Sequence, residues 1–378
     1  MIFLEDLPAS WSPEAAGERA MERMIPVTAP EVKGAHDAQF ITAEGKAYIV
    51  YEADNFKAGE SALNENEYAA LSVVDLASFS LECCGPFARR GQTFAGRTLC
   101  KGNAFLPRVL RLERDTLRFF FTNVIPEEES AYHYYLDYDL PTGRFSDRLS
   151  LLRLRTPEGE GPLDAANYRA LFRAAGHACE DRWFGVYLLD LFEEAGTRYL
   201  ALNNFVAGQN SLARFNRSCD CVEIVGHIGG VTPTEKTTES GIARLPDGRW
   251  MAILRNEIGD KNYRFSYSRD GRLWSDPVSE PFLCGGVNSK PVLFTAGGYC
   301  FMGWNEGSRT VYHLAFSADG RSWRTLFTFR SPATFQYPTF RFHAGELLFS
   351  VTTGQKERIC FGKAGVRCEG GRILLEPL

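Results

Sequence analysis

The chain has 378 residues, 44% of them apolar, with 28 Phe, 15 Tyr and 35 Gly, a composition that suits stacked sheets joined by tight turns and leaves little room for long helices. A formal charge of −5 supplies no basic field for nucleic acid or an anionic membrane surface, so neither is an expected partner. The ten cysteines are scattered, and Cys83-Cys84 and Cys219-Asp220-Cys221 lack the paired spacing of a zinc site; reduced thiols in the cytoplasm are the expectation, with no metal and no cofactor.

In chain order, residues 1–6 lack the basic and apolar regions of a secretion signal, and no apolar run reaches the roughly 18 residues of a membrane span. Alternating apolar runs at 38–41, 47–51, 69–74 and 79–83, separated by Gly, Asp and Asn, read as a first four-stranded unit. Runs at 105–112, 117–122, 132–138 and around 143–145 make a second. Residues 163–175, rich in Ala and Leu and stopped by Gly176, predict one short helical insertion that carries His177 toward the next strand. Runs at 183–192, 198–203, 211–215 and 222–225 make a third unit, and 239–245, 250–255, 263–267 and 281–282 a fourth. A fifth follows at 290–294, 300–304, 311–316 and 323–329, and a sixth starts at 339–342, 347–351 and 358–361. The sixth can be completed by Ile373-Leu374-Leu375 or by Ile2-Phe3-Leu4, and either would close a ring and hide its open edges.

Two copies of one pattern, S-x-D-G-x-x-W, begin at Ser268 and Ser317, a separation of about one four-stranded blade. Asp-Gly supplies the positive φ of a tight turn, the Ser and Asp oxygens accept from loose turn N–H groups, and Trp274 or Trp323 covers the hairpin. The pattern resembles the Asp-box of the sialidase-like β-propeller superfamily. That resemblance implies an all-β, six-bladed propeller in a single domain over residues 1–378, with seven blades as the alternative if residues 148–183 hide another. It also implies that the boxes lie away from the active site.

The stretch from Glu239 to Arg255 is similar to the sialidase blade that opens on a catalytic Glu, crosses an apolar strand, turns at Asp-Gly and ends its second strand in Arg. Carried over, Glu239 would tune the nucleophile, Arg255 would grip a substrate carboxylate, and Tyr337, in Gln336-Tyr337-Pro338-Thr339, would be the nucleophile. The pairing is chemically sound, because a phenol of ordinary pKa near 10 attacks poorly unless a carboxylate takes its proton. Two positions depart from the family. Where it has an early R-I-P arginine this chain has Met24-Ile25-Pro26 with Arg23 one step away, and near the family's Asp acid/base it has Tyr51-Glu52-Ala53-Asp54.

A second constellation joins His36 and Asp37 at the start of the first unit, Arg108 after Pro107, His133 among tyrosines, and His177. These features are similar to propellers that act on uronate-containing polysaccharides, lyases included, where arginines steady enolate charge and His or Tyr takes the proton. Polar residues recur at the unit openings: Asn203-Asn204, Gln209-Asn210, Asn288-Ser289-Lys290 and Asn305-Glu306. Lined up on a central channel, Asn203 and Lys290 would read sugar hydroxyls, and Trp304 or Trp183 would stack on a ring. Phosphate-loop, dinucleotide and H-E-x-x-H patterns are absent. Three functions follow: a sialidase-like glycoside hydrolase on a terminal acidic sugar of a glycan, a lyase on a rhamnose- or uronate-containing glycan, and a glycan-binding propeller without catalysis.

Overall fold

The computed structural model describes residues 1–180, 185–280 and 289–378. Six of its sheets, antiparallel in their main strands, are arranged as the blades of a propeller, and a small hairpin, Thr93–Phe94 with Arg97–Thr98, stands apart. Blade 1 comprises Gly34–Ala43, Lys46–Asp54, Tyr68–Asp75 and Ser80–Ala88. Blade 2 comprises Phe105–Glu113, Thr116–Ile125 and Ser130–Asp139, with short outer pieces at Arg144–Phe145 and Ser150–Leu151. Blade 3 holds Tyr187–Glu194, Thr197–Asn204, Gln209–Phe215 and Cys221–Ile228, and blade 4 holds Thr237–Arg244, Trp250–Asn256 and Arg264–Ser268. Blade 5 is Val292–Ala296, Tyr299–Asn305, Val311–Ser317 and Arg324–Arg330, and blade 6 is Phe335–His343, Glu346–Thr353 and Arg358–Glu369.

The first strand of each blade touches the first strand of the next, blade 6 to blade 1 included, so the ring is closed at its axis. These inner strands are covered on both faces; eight of the ten residues of Gly34–Ala43 are buried. Between blades the contact is aromatic. Phe294 of blade 5 stacks on Phe340 of blade 6 with centroids 6.1 Å apart, and Phe329 of blade 5 on Phe335 of blade 6 at 4.6 Å. Such faces exclude water over a large area per side chain and give each blade a fixed seat on the next.

The two S-x-D-G-x-x-W turns share one hydrogen-bond pattern. Ser268 Oγ accepts from Gly271 N at 2.9 Å while Asp270 Oδ1 accepts from the amides of Arg272 and Leu273. Ser317 and Asp319 repeat this with Gly320, Arg321 and Ser322. Both turns leave the end of a third strand, which runs in the same direction as the inner strand beside the axis. They therefore lie at the opposite end of the ring from the inner-strand starts.

Several boundaries differ from expectation. Both candidate closing segments are used at once: Arg372–Leu375 pairs with the second half of Arg358–Glu369, and Ile2–Phe3 pairs with Arg372–Leu375. Ile25–Pro26 adds to the first half of the same strand. The segment read as a possible seventh blade is a hairpin, Arg153–Thr156 and Gly159–Pro162, that extends blade 3 by parallel pairing to Cys221–Ile228. The expected helix is present as Ala165–Ala174, capped by Asp164 accepting from Asn167 N. A second helix, Pro13–Met21, was not expected; Ser12 caps it and it packs on blades 5 and 6. The outer strand expected at 281–282 lies outside the described residues.

Candidate functional site

Five of the six inner strands carry a break in register near their start, where extra residues face a single partner. The inserted residues are Asp37, Leu106, Leu189, Glu239 and Tyr337 with their neighbours. Three of them, Asp37, Leu106 and Tyr337, have left-handed φ of 47°, 45° and 51°. A bulge turns a side chain out of the strand's alternation and aims it elsewhere. Here the new direction is inward: all five line one cavity of about 330 Å³ at the strand-start end of the axis. Pro107 and Pro338, which cannot donate to a ladder, sit within two of the bulges.

At the floor, Tyr337 Oη donates to Glu239 Oε2 at 2.9 Å, and Arg255 Nη1 donates to the same carboxylate oxygen at 2.6 Å and lies 3.1 Å from Tyr337 Oη. Arg255 also pairs through Nε with Glu257, and its guanidinium lies 5.0 Å from the Phe205 ring centroid. Burial pushes the Tyr337 phenol well above its ordinary range, and the charge of Glu239 adds to that while Arg255 opposes it. The phenol therefore keeps its proton, already aimed at the group that can take it.

Asp37 is held from behind. Arg108 Nη2 donates to its Oδ2 at 2.6 Å and Lys290 pairs with its Oδ1. Burial raises the Asp37 carboxyl, but Arg108, Lys290 and His36 together hold it below the usual carboxylate range. The Lys290 ammonium also lies 4.9 Å from the Tyr337 ring centroid. His36 packs against Tyr337 with centroids 4.3 Å apart; its Nδ1 is 3.1 Å from Thr352 Oγ1 and its Nε2 is 3.0 Å from Glu60 Oε2. Lys356 pairs with the other oxygen of Glu60. On the wall above, Asn203 presents a buried amide whose nitrogen and oxygen both lack a protein partner, and Arg309 donates to Gln336 Oε1 at 2.9 Å.

The structure thus brings Tyr337, Glu239, Arg255, Asp37 and Asn203 to one cavity, with Lys290, Arg108 and His36 packed behind it. Arg108 is 0% exposed and touches no open space, so its expected contact with ligand is corrected to support of Asp37. The other sugar-contact expectations are corrected by position. His133 is buried inside blade 2 against Thr122 Oγ1, and burial lowers it to about 3. His177 lies beyond the helix end, near Gly229 O, tilted against Phe172 and edge-on to His227. Trp304 faces His313 within blade 5. Trp183 and Asn288 lie outside the described residues. Asn204, Asn210 and Asn305 serve the backbone, accepting from Ala207 N and donating to Thr237 O and Phe335 O. Arg23 pairs with Glu376 at the surface, and Ile25–Pro26 is an edge strand, so the early Met-Ile-Pro segment takes no part in the site.

Six wall residues escaped the sequence reading: Glu60, Ser61, Ala62, Phe205, Arg309 and Lys356. All sit in connections between strands, where no periodicity marks them. The only usable signal was their place in loops at the strand-start end of the ring.

No family model matches this chain, and no curated protein sequence does either. Solved structures do resemble it. A protein of unknown function from Dyadobacter fermentans superposes with a TM-score of 0.61 and 11% identity, covering 90% of this chain and 97% of the other. The Hadza microbial sialidase Hz136 also gives 0.61 at 11% identity, over 87% of this chain and 65% of its own length. The NanB sialidase of Streptococcus pneumoniae gives 0.58 at 9% identity, over 90% and 70%. At such identities the likeness is one of fold: the chain has the six-bladed, sialidase-like propeller architecture.

Proposed function

We propose that this protein is a glycoside hydrolase that removes a terminal acidic sugar from a glycan. The observation that carries the reading is the Tyr337–Glu239–Arg255 cluster at the cavity floor. Tyr337 Oη attacks the sugar carbon as Glu239 accepts its proton. A neutral phenol suits a carboxylated sugar because it brings no second anion against the substrate's own charge. Arg255 and Arg309 grip that carboxylate by charge-assisted hydrogen bonds. Among the wall carboxylates, Glu239 is taken by Tyr337 and Arg255, and Asp37 by Arg108 and Lys290. Glu60, the remaining wall carboxylate, is held by His36 and Lys356 and passes a proton to the departing oxygen and later activates water. Asn203, whose amide offers both a donor and an acceptor, reads a substituent on the ring.

The test is release of a fluorescent phenol from a panel of carboxylated and neutral glycosides. Carboxylated members should be cleaved, and Tyr337→Phe should lower kcat on the order of 10³-fold or more. A Tyr337→Phe protein with wild-type turnover would sink the mechanism. Sugar binding without release of product by the wild type would favour a non-catalytic propeller.

A further inference from the structure

Glu60 is not alone on its side of the cavity. Behind it lies Glu52, on the second strand of blade 1 and 2% exposed, with one oxygen accepting from Leu106 N at 3.3 Å. Its other oxygen is buried and meets no protein donor. Glu52 and Glu60 are neighbours: Glu52 is the cross-strand partner of His36, whose Nε2 lies 3.0 Å from Glu60 Oε2, and each carboxyl shifts the other. Two ionised carboxylates buried side by side repel each other, so one of the pair keeps its proton.

The surroundings decide which. Glu60 is faced by two cationic or proton-donating groups, His36 Nε2 from the inner strand of blade 1 and Lys356 from blade 6. Glu52 is faced by Glu60 and Glu67 from the loop that follows its strand, by Asp37 from the inner strand, by the Leu106 amide from blade 2 and by the Tyr187 phenol from blade 3. Burial and then the charge of Glu60 push Glu52 well up. Burial acts on Glu60 too, but His36 and Lys356 outweigh it and bring that carboxyl well down. The proton therefore resides on Glu52.

We propose that Glu52 is a positioning residue that stores the proton Glu60 delivers, so that the two glutamates act as one acid. The idea rests on the hydrolase reading above. As Tyr337 Oη bonds to the sugar and its proton passes to Glu239, the glycosidic C–O bond breaks. The proton held by Glu52 passes to Glu60 and from Glu60 to the leaving oxygen, which leaves both glutamates ionised. When water then attacks and the sugar–Tyr337 bond breaks, the water proton returns to the glutamate pair and Glu239 returns its proton to the phenolate, which restores every group.

Infrared difference spectroscopy at pH 7 tests the shared proton without any turnover. A second glutamate, Glu67, is pushed up to about 8 by burial although the Ser61 amide it accepts from works against that, so it too is protonated at neutral pH. Glu52→Gln should remove one protonated-carboxyl signal and Glu67→Gln a different one. Should Glu52→Gln fail to fold, the Glu67→Gln protein must still show a protonated glutamate, and its absence overturns the proposal. In turnover, Glu52→Gln should slow glycosides of unactivated alcohols about 100-fold, within the range for general acid catalysis. Glycosides of acidic phenols, whose leaving oxygen needs no proton, should change little. Equal slowing of both classes, or an unchanged infrared signal, overturns the proposal. Loss of the signal in a protein that cleaves no glycoside supports the stored proton and overturns the hydrolase reading instead.

Discussion

At the scale of single residues, the charges buried around the cavity have mostly found a counter-charge. Arg108 and Asp37 are both almost wholly enclosed, an arrangement tolerable only because each satisfies the other and Lys290 and backbone carbonyls take the remaining bonds. Asp37 thereby becomes a fixed wall carboxylate rather than an adjustable one. His133 shows the opposite case, a titratable group that burial keeps neutral. The unfolded chain binds a proton at this residue near pH 6.5, whereas the folded site does so only near 3, so unfolding takes up a proton throughout that window. Its contribution is complete above 6.5 and is lost as the pH falls toward 3, by about 1.4 kcal/mol per pH unit. Urea denaturation of wild type and His133→Asn at pH 7, 6, 5 and 4 measures it. The stability difference between them should shift against the wild type by that slope, and a constant difference would contradict it.

At the scale of elements, the recurring device is the bulge at the start of an inner strand. Regular strands would alternate their side chains between neighbouring blades and leave the axis without a shaped wall. The extra residues instead send Tyr337, Glu239 and Asp37 to one point, and the left-handed φ at Tyr337 and Asp37 is the local cost of that convergence. At the other end of the blades the turns do structural work. Gly320 has φ of +70°, and a Cβ there would sit 2.8 Å from Leu245 Cδ1 at the end of the neighbouring blade's inner strand. Gly298 has φ of +78° with open space around it. Gly298→Ala should cost about 1 kcal/mol, the penalty of left-handed backbone alone, and Gly320→Ala about 2. Thermal unfolding of both variants separates the backbone term from the inter-blade contact; equal losses would mean that Leu245 simply moves aside.

At the scale of the whole molecule, ring closure draws on both termini. The N-terminal 26 residues supply an outermost strand, a helix seated on blades 5 and 6, and an edge strand on blade 6. Leu4 and Leu7 alone are 1% and 5% exposed, and losing their burial costs about 3–6 kcal/mol. Deletion of residues 1–26 should therefore lower the unfolding midpoint sharply and open the edges of Arg358–Glu369 and Arg372–Leu375 to association. Calorimetry with light scattering checks both effects, and a truncated chain as stable and monodisperse as the parent would show that the blades close without it.

The sequence by itself determined the blades, because strand alternation, glycine-marked turns and the repeated S-x-D-G-x-x-W spacing are local signals that survive without any partner. It also marked Tyr337, Glu239 and Arg255, because the stretches that carry them resemble the sialidase blades residue by residue. It could not say that His133, His177 and Trp304 would be packed away, because a histidine or tryptophan within a strand reads the same whether its face meets solvent, core or channel. Nor could it show Glu60, Lys356 and Arg309 arriving at the cavity from separate loops, or Glu52 meeting Glu60 behind the wall. Those encounters join residues far apart in the chain, and only the closed ring, by setting every inner strand around one axis and shifting it at a bulge, brings them within reach of each other.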